Sequence, residues 1–274
     1  MKIEKISIDG IIKDADEATL PATNQGLMSG LGVFETFRVC DGKVFLLDEH
    51  FARLQKSLRA IGISQVDETQ AIENIFDIAK FAQPGQDAFI RFFVTTEGGE
   101  LANFNHSQQP KIVIYMSSIP VLEPRAISAK ILSGIVRNKP EYFDQIGFRI
   151  KSLDYLHAII AQKQLSDEAG IMLTHDGYIA EALTANIFWS KDGKIYTPPL
   201  SLGILPGIMR QFLIENLEVA EKNAQKNEIL DADEIFLSSS VNFITPLDKI
   251  NSIKKPGLEG PVSQSLSTKF SKLI

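Results

Sequence analysis

Apolar and polar residues alternate over several short stretches of the chain, which is the spacing of half-buried β-strands. Residues 1–12 alternate in this way around an Asp-Gly pair, and residues 33–46 do so on both sides of a second Asp-Gly pair. Such a pair favours a tight two-residue turn, because glycine adopts positive φ angles without steric cost. Both stretches are therefore predicted to form β-hairpins.

Apolar residues spaced three and four apart predict the first helices. Phe51, Leu54, Leu58 and Ile61 form one apolar stripe, and we expect Asp48 to cap the N-terminus of that helix. A second helix is predicted over residues 67–82, where a Pro-Gly pair ends it.

Two apolar runs, residues 88–95 and 111–116, are predicted to be strands joined by an irregular loop. Residues 117–125 contain two prolines and have no periodicity, so they are the predicted linker. We therefore expect two domains, of residues 1–118 and residues 119–274.

The second half combines strands and helices without regular alternation. A strand is predicted near residues 127–132, followed by a helix that runs from Lys151 to about residue 168. Two further Asp-Gly turns indicate an antiparallel meander, before a helix after Gly207, a strand at 234–238 and a polar C-terminal helix. No GxGxxG motif follows a strand, which disfavours a doubly wound dinucleotide fold. We predict the α+β class, with mostly antiparallel sheets and flanking helices.

Composition narrows the classes of function. The 274 residues suffice for two domains, and the net charge of −6 argues against nucleic-acid binding. The single cysteine, Cys40, excludes an internal disulfide, and the four histidines lack ligand spacing, so no metal site is expected. The N-terminal residues indicate neither a signal peptide nor a membrane span. We expect a soluble cytoplasmic protein that acts on a small molecule, without nucleic-acid or membrane partners.

Lys151 is the first candidate for chemistry, because it lies where an apolar run passes into a helical pattern. A partly buried lysine can serve as a nucleophile or base, including Schiff-base formation, and an ordinary surface lysine is the alternative. Arg53 stands beside Leu54 on the apolar stripe and could bind a phosphate through its fork of N–H groups. The alternative for Arg53 is a surface ion pair with Glu49.

Glu181 lies between small and apolar residues and needs a positive partner if it is buried. A protonated pyridine nitrogen would be such a partner, and a surface glutamate at a strand end is the alternative. The turn at 203–207 leads into a helix whose N-terminus suits an anion, while the hydroxyls of Ser238–Ser240 could bind phosphate or cap a turn. Together these residues fit a pyridoxal phosphate site, although composition alone does not select it.

Five segments resemble, in the same order, the signature of the class IV, fold-type IV pyridoxal phosphate enzymes. These enzymes include branched-chain aminotransferases, D-amino acid aminotransferases and 4-amino-4-deoxychorismate lyases. The resemblance extends from about residue 24 to 250 and is carried by GVFETFRVCDGKVFLLDEHFARL, IKSLDYL, GYIAEALTANIFW, TPPLSLGILPGIMR and ADEIFLSSSVNFITPL. It implies a two-domain fold like that of D-amino acid aminotransferase, with an N-terminal α/β domain and a larger C-terminal domain that binds pyridoxal phosphate. It also implies a homodimer whose active sites lie near the subunit interface.

The resemblance also implies roles for individual residues. Lys151 would form the Schiff base with pyridoxal phosphate and transfer protons, Arg53 would bind the phosphate, and Glu181 would bind the pyridine nitrogen. The remaining phosphate contacts would be the backbone N–H groups of Ile208 and Met209 and the hydroxyl of Ser240.

Local sequences within the family favour the lyases. Loop 97–110 contains no arginine, whereas D-amino acid aminotransferases carry an Arg-x-His carboxylate site there. Branched-chain enzymes have Tyr-Ile-Arg where this chain has Phe89-Ile90-Arg91, so their tyrosine hydroxyl is absent. The segments ANIFWSK, IYTP and GIMRQF are most similar to those of the lyases. One departure is Leu27, which occupies the position of a threonine proposed as an acid in some lyases.

The expected activity is therefore conversion of 4-amino-4-deoxychorismate to pyruvate and 4-aminobenzoate, a folate precursor. Arg38 and Arg91 are candidate contacts for substrate carboxylates, and each could instead form a structural ion pair. The alternative activity is transamination of branched-chain or D-amino acids with a 2-oxoacid acceptor. A relative that has lost catalysis and serves as a binding protein is the third interpretation, which the retained lysine, arginine and glutamate disfavour.

Overall fold

The computed structural model describes residues 2–98 and 108–270. The chain forms two compact units, the first of Met1–Leu122 with Ile150–Asp154 and the second of Glu123–Arg149 with Tyr155–Ile274. The chain thus leaves the first unit within the predicted linker, slightly later than the predicted boundary at residues 118 and 119. It also returns to the first unit around Lys151, which the sequence patterns did not indicate.

Within the described residues, the first unit is built on a six-stranded sheet whose paired strands are all antiparallel. The strand order is β2-β1-β6-β5-β3-β4, with bounds β1 Lys5–Ile8, β2 Ile11–Asp14, β3 Val33–Cys40, β4 Lys43–Val44, β5 Gln86–Thr95 and β6 Lys111–Pro120. The helices are α1 Gln25–Ser29, α2 Leu47–Ala60 and α3 Glu68–Ala79. Phe51, Leu54 and Leu58 of the predicted apolar stripe are buried on α2, whereas Ile61 is half-buried and follows the last residue of the helix.

Both predicted hairpins are confirmed, as the pairs β1–β2 and β3–β4. The predicted cap of α2 is wrong. The residue before this helix is Leu46, with φ 54°, no side chain caps the helix, and Asp48 lies in its first turn. A carboxylate in that position still interacts favourably with the helix dipole. Helix α3 does have a side-chain cap, because Asp67 accepts a hydrogen bond from the Gln70 N–H.

The second unit contains a larger, mixed sheet in the described residues. The order of its main path is β12-β11-β10-β13-β14-β7-β8-β9, and β15 pairs with β14. The strands are β7 Ile127–Val136, β8 Ala169–Leu173, β9 Ile179–Ala182, β10 Asn186–Lys191, β11 Lys194–Thr197, β12 Val219–Glu221, β13 Glu234–Ser239, β14 Phe243–Ile250 and β15 Ile253–Lys254. The helices are α4 Phe143–Ile146, α5 Leu156–Gln162, α6 Ile208–Asn216, α7 Lys226–Leu230 and α8 Pro261–Phe270.

The α+β class with mostly antiparallel sheets is confirmed, since only β7–β8, β7–β14 and β11–β12 are parallel among the described strand pairs. The prediction of a single antiparallel meander is wrong. Strands β8–β9 and β10–β11 form two hairpins, but β10 pairs next with β13 rather than with β9. Local turn signals predict hairpins, whereas the order in which hairpins join a sheet depends on contacts distant in sequence.

The predicted helix from Lys151 to residue 168 is shorter than expected, because α5 spans only Leu156–Gln162. Much of its apolar pattern faces outward: Leu156, Ile159 and Ile160 are 64%, 60% and 49% exposed. In the described part of the chain, no helix combines the length and apolar character needed to cross a bilayer.

Residues 150–154 are held against β3 by backbone hydrogen bonds. The Phe34 N–H donates to the Lys151 carbonyl oxygen over 3.0 Å, and the Leu153 N–H donates to the Gly32 carbonyl oxygen over 3.2 Å. A Cβ atom on Gly32 would lie 2.7 Å from both the Leu153 Cδ1 atom and the Val94 carbonyl oxygen. Glycine at position 32 therefore permits the close approach that sets the position of Lys151.

Candidate active site

Lys151 lies beside an aromatic ring of β3. Its Nζ atom is 4.6 Å from the centroid of the Phe34 ring, and the guanidinium carbon of Arg91 is 5.3 Å from the same centroid. The Nε atom of Arg91 is buried and has no hydrogen-bond partner among the described residues. The amine of Lys151 and the guanidinium of Arg91 thus lie beside the same ring in the first unit.

Among the described ion pairs, Arg53 is paired with the buried carboxylate of Glu35 rather than with Glu49. Its Nε atom donates to Oε1 of Glu35 over 2.8 Å, and its Nη2 atom donates to Oε2 over 2.5 Å. Oε2 also lies 2.7 Å from Nδ1 of His50, which precedes Arg53 by one turn on α2. The result is a compact cluster of Glu35, His50 and Arg53.

Burial and the neighbouring groups have opposite effects on the pKa of Glu35. Burial by itself raises the pKa of Glu35, but the Arg53 charge and the hydrogen bond with His50 outweigh it and hold that pKa at about 2. Burial lowers the pKa of His50, and repulsion from Arg53 and Lys151 adds to this effect. At neutral pH the cluster therefore contains an ionised Glu35 and a neutral His50, whose Nδ1–H donates to the carboxylate.

Arg38, a candidate substrate contact in the sequence, forms a buried ion pair in the structure. It is buried, forms an ion pair with Asp87, and donates to the Pro120 carbonyl oxygen over 2.8 Å. This is the structural ion pair that the sequence left open, and it commits the guanidinium to the sheet. Arg91 has no such carboxylate partner among the described ion pairs.

Glu181 lies on β9 in the second unit and is 3% exposed, which excludes the surface-glutamate interpretation. Its Oε2 atom accepts hydrogen bonds from the Leu205 N–H over 3.0 Å and from Asn186 Nδ2 over 3.3 Å. Its Oε1 atom lies 2.7 Å from Nε of Arg137, yet neither atom has a hydrogen-bond partner in the described residues. The pair is close without being aligned, so Oε1 can still accept from an N–H group such as a protonated ring nitrogen.

The turn before α6 is tied to the same carboxylate. Asn186 donates to the Leu205 carbonyl oxygen over 3.0 Å as well as to Glu181. A Cβ atom on Gly207 would overlap the side-chain oxygen of Asn186, so a larger residue there would have to displace the Asn186 side chain. Among the described residues, no side chain caps α6, whose first residues are Ile208 and Met209. Their backbone N–H groups are therefore suited to a phosphate.

Ser240 lies in the turn between β13 and β14 and is half-buried. The neighbouring hydroxyl of Ser239 accepts a hydrogen bond from the Asn242 N–H over 3.2 Å, so Ser239 caps the turn. The buried hydroxyl of Ser238 has no hydrogen-bond partner among the described residues. The three serines thus have different environments.

The predicted residues fall into two groups, one in each unit. The first unit contains Lys151, Arg53 and Arg91; the second contains Glu181, Ile208, Met209 and Ser240. Sequence reasoning missed the partners of these residues, Glu35, His50, Arg137 and Asn186. Glu35 occupies a polar position of an alternating strand, which usually indicates a solvent-facing side chain. The expectations for loop 97–110 fall largely on residues 99–107, outside the described residues.

Comparison with other proteins identifies relatives over almost the whole chain. A family model for amino-transferase class IV matches residues 32–250. The aminodeoxychorismate lyase of Bacillus subtilis (strain 168) is 32% identical, over 98% of this chain and 94% of its own length. A putative branched-chain-amino-acid aminotransferase of Methanocaldococcus jannaschii is 31% identical, over 97% of this chain and 95% of its own.

The fold has solved counterparts. The branched-chain amino acid aminotransferase of Thermobaculum terrenum, in its PLP form, matches with a TM-score of 0.81 at 23% identity. The match covers 99% of this chain and 94% of that one. This likeness supports the fold described above.

Replacement of the buried carboxylate by Glu35→Gln is expected to lower the free energy of unfolding near neutral pH. The folded pKa of about 2 lies below the ordinary 4.5, and this difference corresponds to roughly 3 kcal/mol. Because the folded pKa is lowered, the contribution is full above pH 4.5 and is lost as the pH falls towards 2. Urea unfolding of both proteins over this pH range measures the effect.

The exposed Glu49→Gln variant is the matched control, since it removes a carboxylate from the same region without burial. We expect it to change the free energy of unfolding by less than about 0.5 kcal/mol. A difference between wild type and Glu35→Gln that stays constant on acidification would contradict the assigned ionisation.

Proposed function

The chain belongs to the class IV aminotransferase family, and within it we propose that the protein is a lyase that converts 4-amino-4-deoxychorismate to 4-aminobenzoate and pyruvate. The observation that carries the proposal is the 32% identity with an aminodeoxychorismate lyase over 98% of the chain. The lyase-like segments and Phe89 in place of the branched-chain tyrosine support the same assignment.

Pyridoxal phosphate is the cofactor, and when bound it supplies a carbonyl carbon for the substrate amine and a ring that accepts an electron pair. We propose that Lys151 carries it and that Glu181 binds the pyridine nitrogen. The buried Oε1 atom of Glu181, which lacks a hydrogen-bond partner in the described residues, fits this role. The proposed phosphate contacts are Arg53, the N–H groups of Ile208 and Met209, and the Ser240 hydroxyl, and the uncapped start of α6 fits them.

In the proposed reaction the neutral amine of Lys151 takes the proton from the ring carbon that bears the substrate amine. The bond from the neighbouring ring carbon to the enolpyruvyl oxygen breaks, and that group leaves and takes up a proton to become pyruvate. The ring is left aromatic as 4-aminobenzoate, so no external oxidant or 2-oxoacid is consumed. We propose Arg91 as the contact for a substrate carboxylate, and its position beside the same Phe34 ring as Lys151 supports this role.

The second candidate is an aminotransferase, favoured by the 31% identity with a putative branched-chain-amino-acid aminotransferase. The proposed cofactor contacts would be the same, because both reactions begin by removal of a proton next to the substrate nitrogen. The reactions differ in what the assay consumes: transamination requires a 2-oxoacid acceptor, whereas the lyase reaction does not.

The lyase proposal predicts that the purified protein forms pyruvate and 4-aminobenzoate from aminodeoxychorismate alone. Lys151→Ala is expected to remove the Schiff-base absorbance and essentially all activity, because it deletes the amine that carries the cofactor and moves the proton. Lys163→Ala, at an exposed lysine after α5, is the control and should retain both.

Transamination of leucine or D-alanine with 2-oxoglutarate, without formation of 4-aminobenzoate, would establish the aminotransferase instead. A wild-type protein with no Schiff-base absorbance, unchanged by Lys151→Ala, would support a binding protein without catalysis.

For Arg91 we expect Arg91→Gln to raise KM for aminodeoxychorismate roughly 10- to 100-fold, the scale of one hydrogen bond to a charged group. The turnover number should change less, because the proton is moved by Lys151. Arg59→Gln, at an exposed arginine of α2, is the control. An unchanged KM in Arg91→Gln would remove Arg91 from the substrate site.

We also propose that the protein is a homodimer, as the family resemblance implies. The exposed apolar residues of α5 support this, since soluble proteins rarely leave neighbouring large apolar side chains in water. Ile159→Glu is expected to yield monomers in light scattering after size-exclusion chromatography, whereas Gln162→Glu on the same helix should remain dimeric. A dimeric Ile159→Glu protein would exclude α5 from the interface.

A further inference from the structure

In the cluster of Glu35, His50 and Arg53, the carboxylate takes part in three hydrogen bonds, whereas a simple ion pair needs only one contact. Both oxygens of the Glu35 carboxylate are occupied by one guanidinium, through Nε at 2.8 Å and Nη2 at 2.5 Å. His50 approaches Oε2 at 2.7 Å and so restrains the carboxylate from a second direction. Glu35 and His50 are almost fully buried, with exposures of 2% and 1%.

This arrangement fixes the plane of the Arg53 guanidinium. A bidentate contact through Nε and Nη2 occupies one edge of a planar group, and it leaves Nη1 outside the fork. Arg53 would otherwise sample several rotamers from its position on α2, and ordering them would weaken the binding of any anion. The fork therefore sets the direction in which the remaining N–H groups of Arg53 point.

His50 is suited to hold the carboxylate without adding charge. Its ring packs edge-on against Phe37, with centroids 5.3 Å apart at 67°, which fixes the imidazole plane. The neutral ring donates from Nδ1 to Glu35, while Nε2 is buried and has no hydrogen-bond partner among the described residues. A charged imidazole here would place a further cation near Arg53 and Lys151.

We propose that Glu35 and His50 are positioning residues for the cofactor's phosphate group, and that they act by orienting Arg53. This inference rests on the proposed function, in which Arg53 binds that phosphate. The charge of Glu35 alone has the opposite effect, because a carboxylate beside Arg53 repels a phosphate. If Glu35 acts by orienting Arg53, neutralising Glu35 weakens the binding of pyridoxal phosphate. If its negative charge dominates, neutralising it strengthens that binding.

The test compares pyridoxal phosphate with pyridoxal, which lacks the phosphate, in equilibrium titrations followed by Schiff-base absorbance. Glu35→Gln keeps the shape of the side chain, and we expect it to weaken pyridoxal phosphate binding roughly 10-fold, as loss of an outer contact to a binding residue typically does. Binding of pyridoxal should change less than about 2-fold. Glu49→Gln should leave both affinities unchanged.

His50 provides a second, independent variant. His50→Asn retains an N–H donor near the position of Nδ1 and should bind pyridoxal phosphate nearly as wild type does. His50→Leu removes the donor and should weaken pyridoxal phosphate selectively, as Glu35→Gln does. In an Arg53→Gln background, the further change Glu35→Gln should have no effect on pyridoxal phosphate affinity, because the group it orients is gone.

Two results would overturn the inference while leaving the proposed function intact. Tighter binding of pyridoxal phosphate by Glu35→Gln would show that charge repulsion dominates. Equally weakened binding of pyridoxal and pyridoxal phosphate would show that Glu35 contributes only to folding. The unchanged pyridoxal affinity that we expect would exclude misfolding of the variant. A wild-type protein that forms no Schiff base with either compound would overturn the proposed function and this inference together.

Discussion

The backbone pairing between β3 and the segment around Lys151 is the constraint on which the candidate site depends. The Phe34 N–H and the Gly32 carbonyl oxygen bind residues 151 and 153 directly, so the main chain sets the origin of the lysine side chain. The Phe34 ring then lies against both Lys151 and Arg91. An alternative conformation of the 150–154 segment would have to break these hydrogen bonds. The pairing with β3 therefore fixes the position of the Lys151 backbone.

Two buried carboxylates, each beside an arginine, differ in how many of their oxygen atoms accept hydrogen bonds. Glu35 has both oxygens occupied, by Arg53 and His50, and its pKa is held at about 2. Glu181 keeps one oxygen without a hydrogen-bond partner in the described residues, although Arg137 lies 2.7 Å away. A saturated carboxylate can only orient its neighbours, whereas an unsaturated one can also bind a ligand.

Elements governed by neighbouring residues were predictable. The two hairpins of the first unit follow from Asp-Gly turns, and the buried face of α2 follows from the spacing of its apolar residues. The failures have non-local causes. The pattern after Lys151 extends over apolar residues of α5 that are exposed, so periodicity there does not report burial within the chain. The order of β10 and β13 likewise depends on pairing across the sheet.

The sequence by itself determined the candidate residues of the site, because Lys151, Arg53 and Glu181 lie in segments that resemble, in the same order, the signature of a known family. Only the tertiary structure decided the partners. Arg38, for example, forms an ion pair with Asp87, which is 49 residues away along the chain. Partners so far apart are chosen by the packing of strands and helices, which no local pattern encodes.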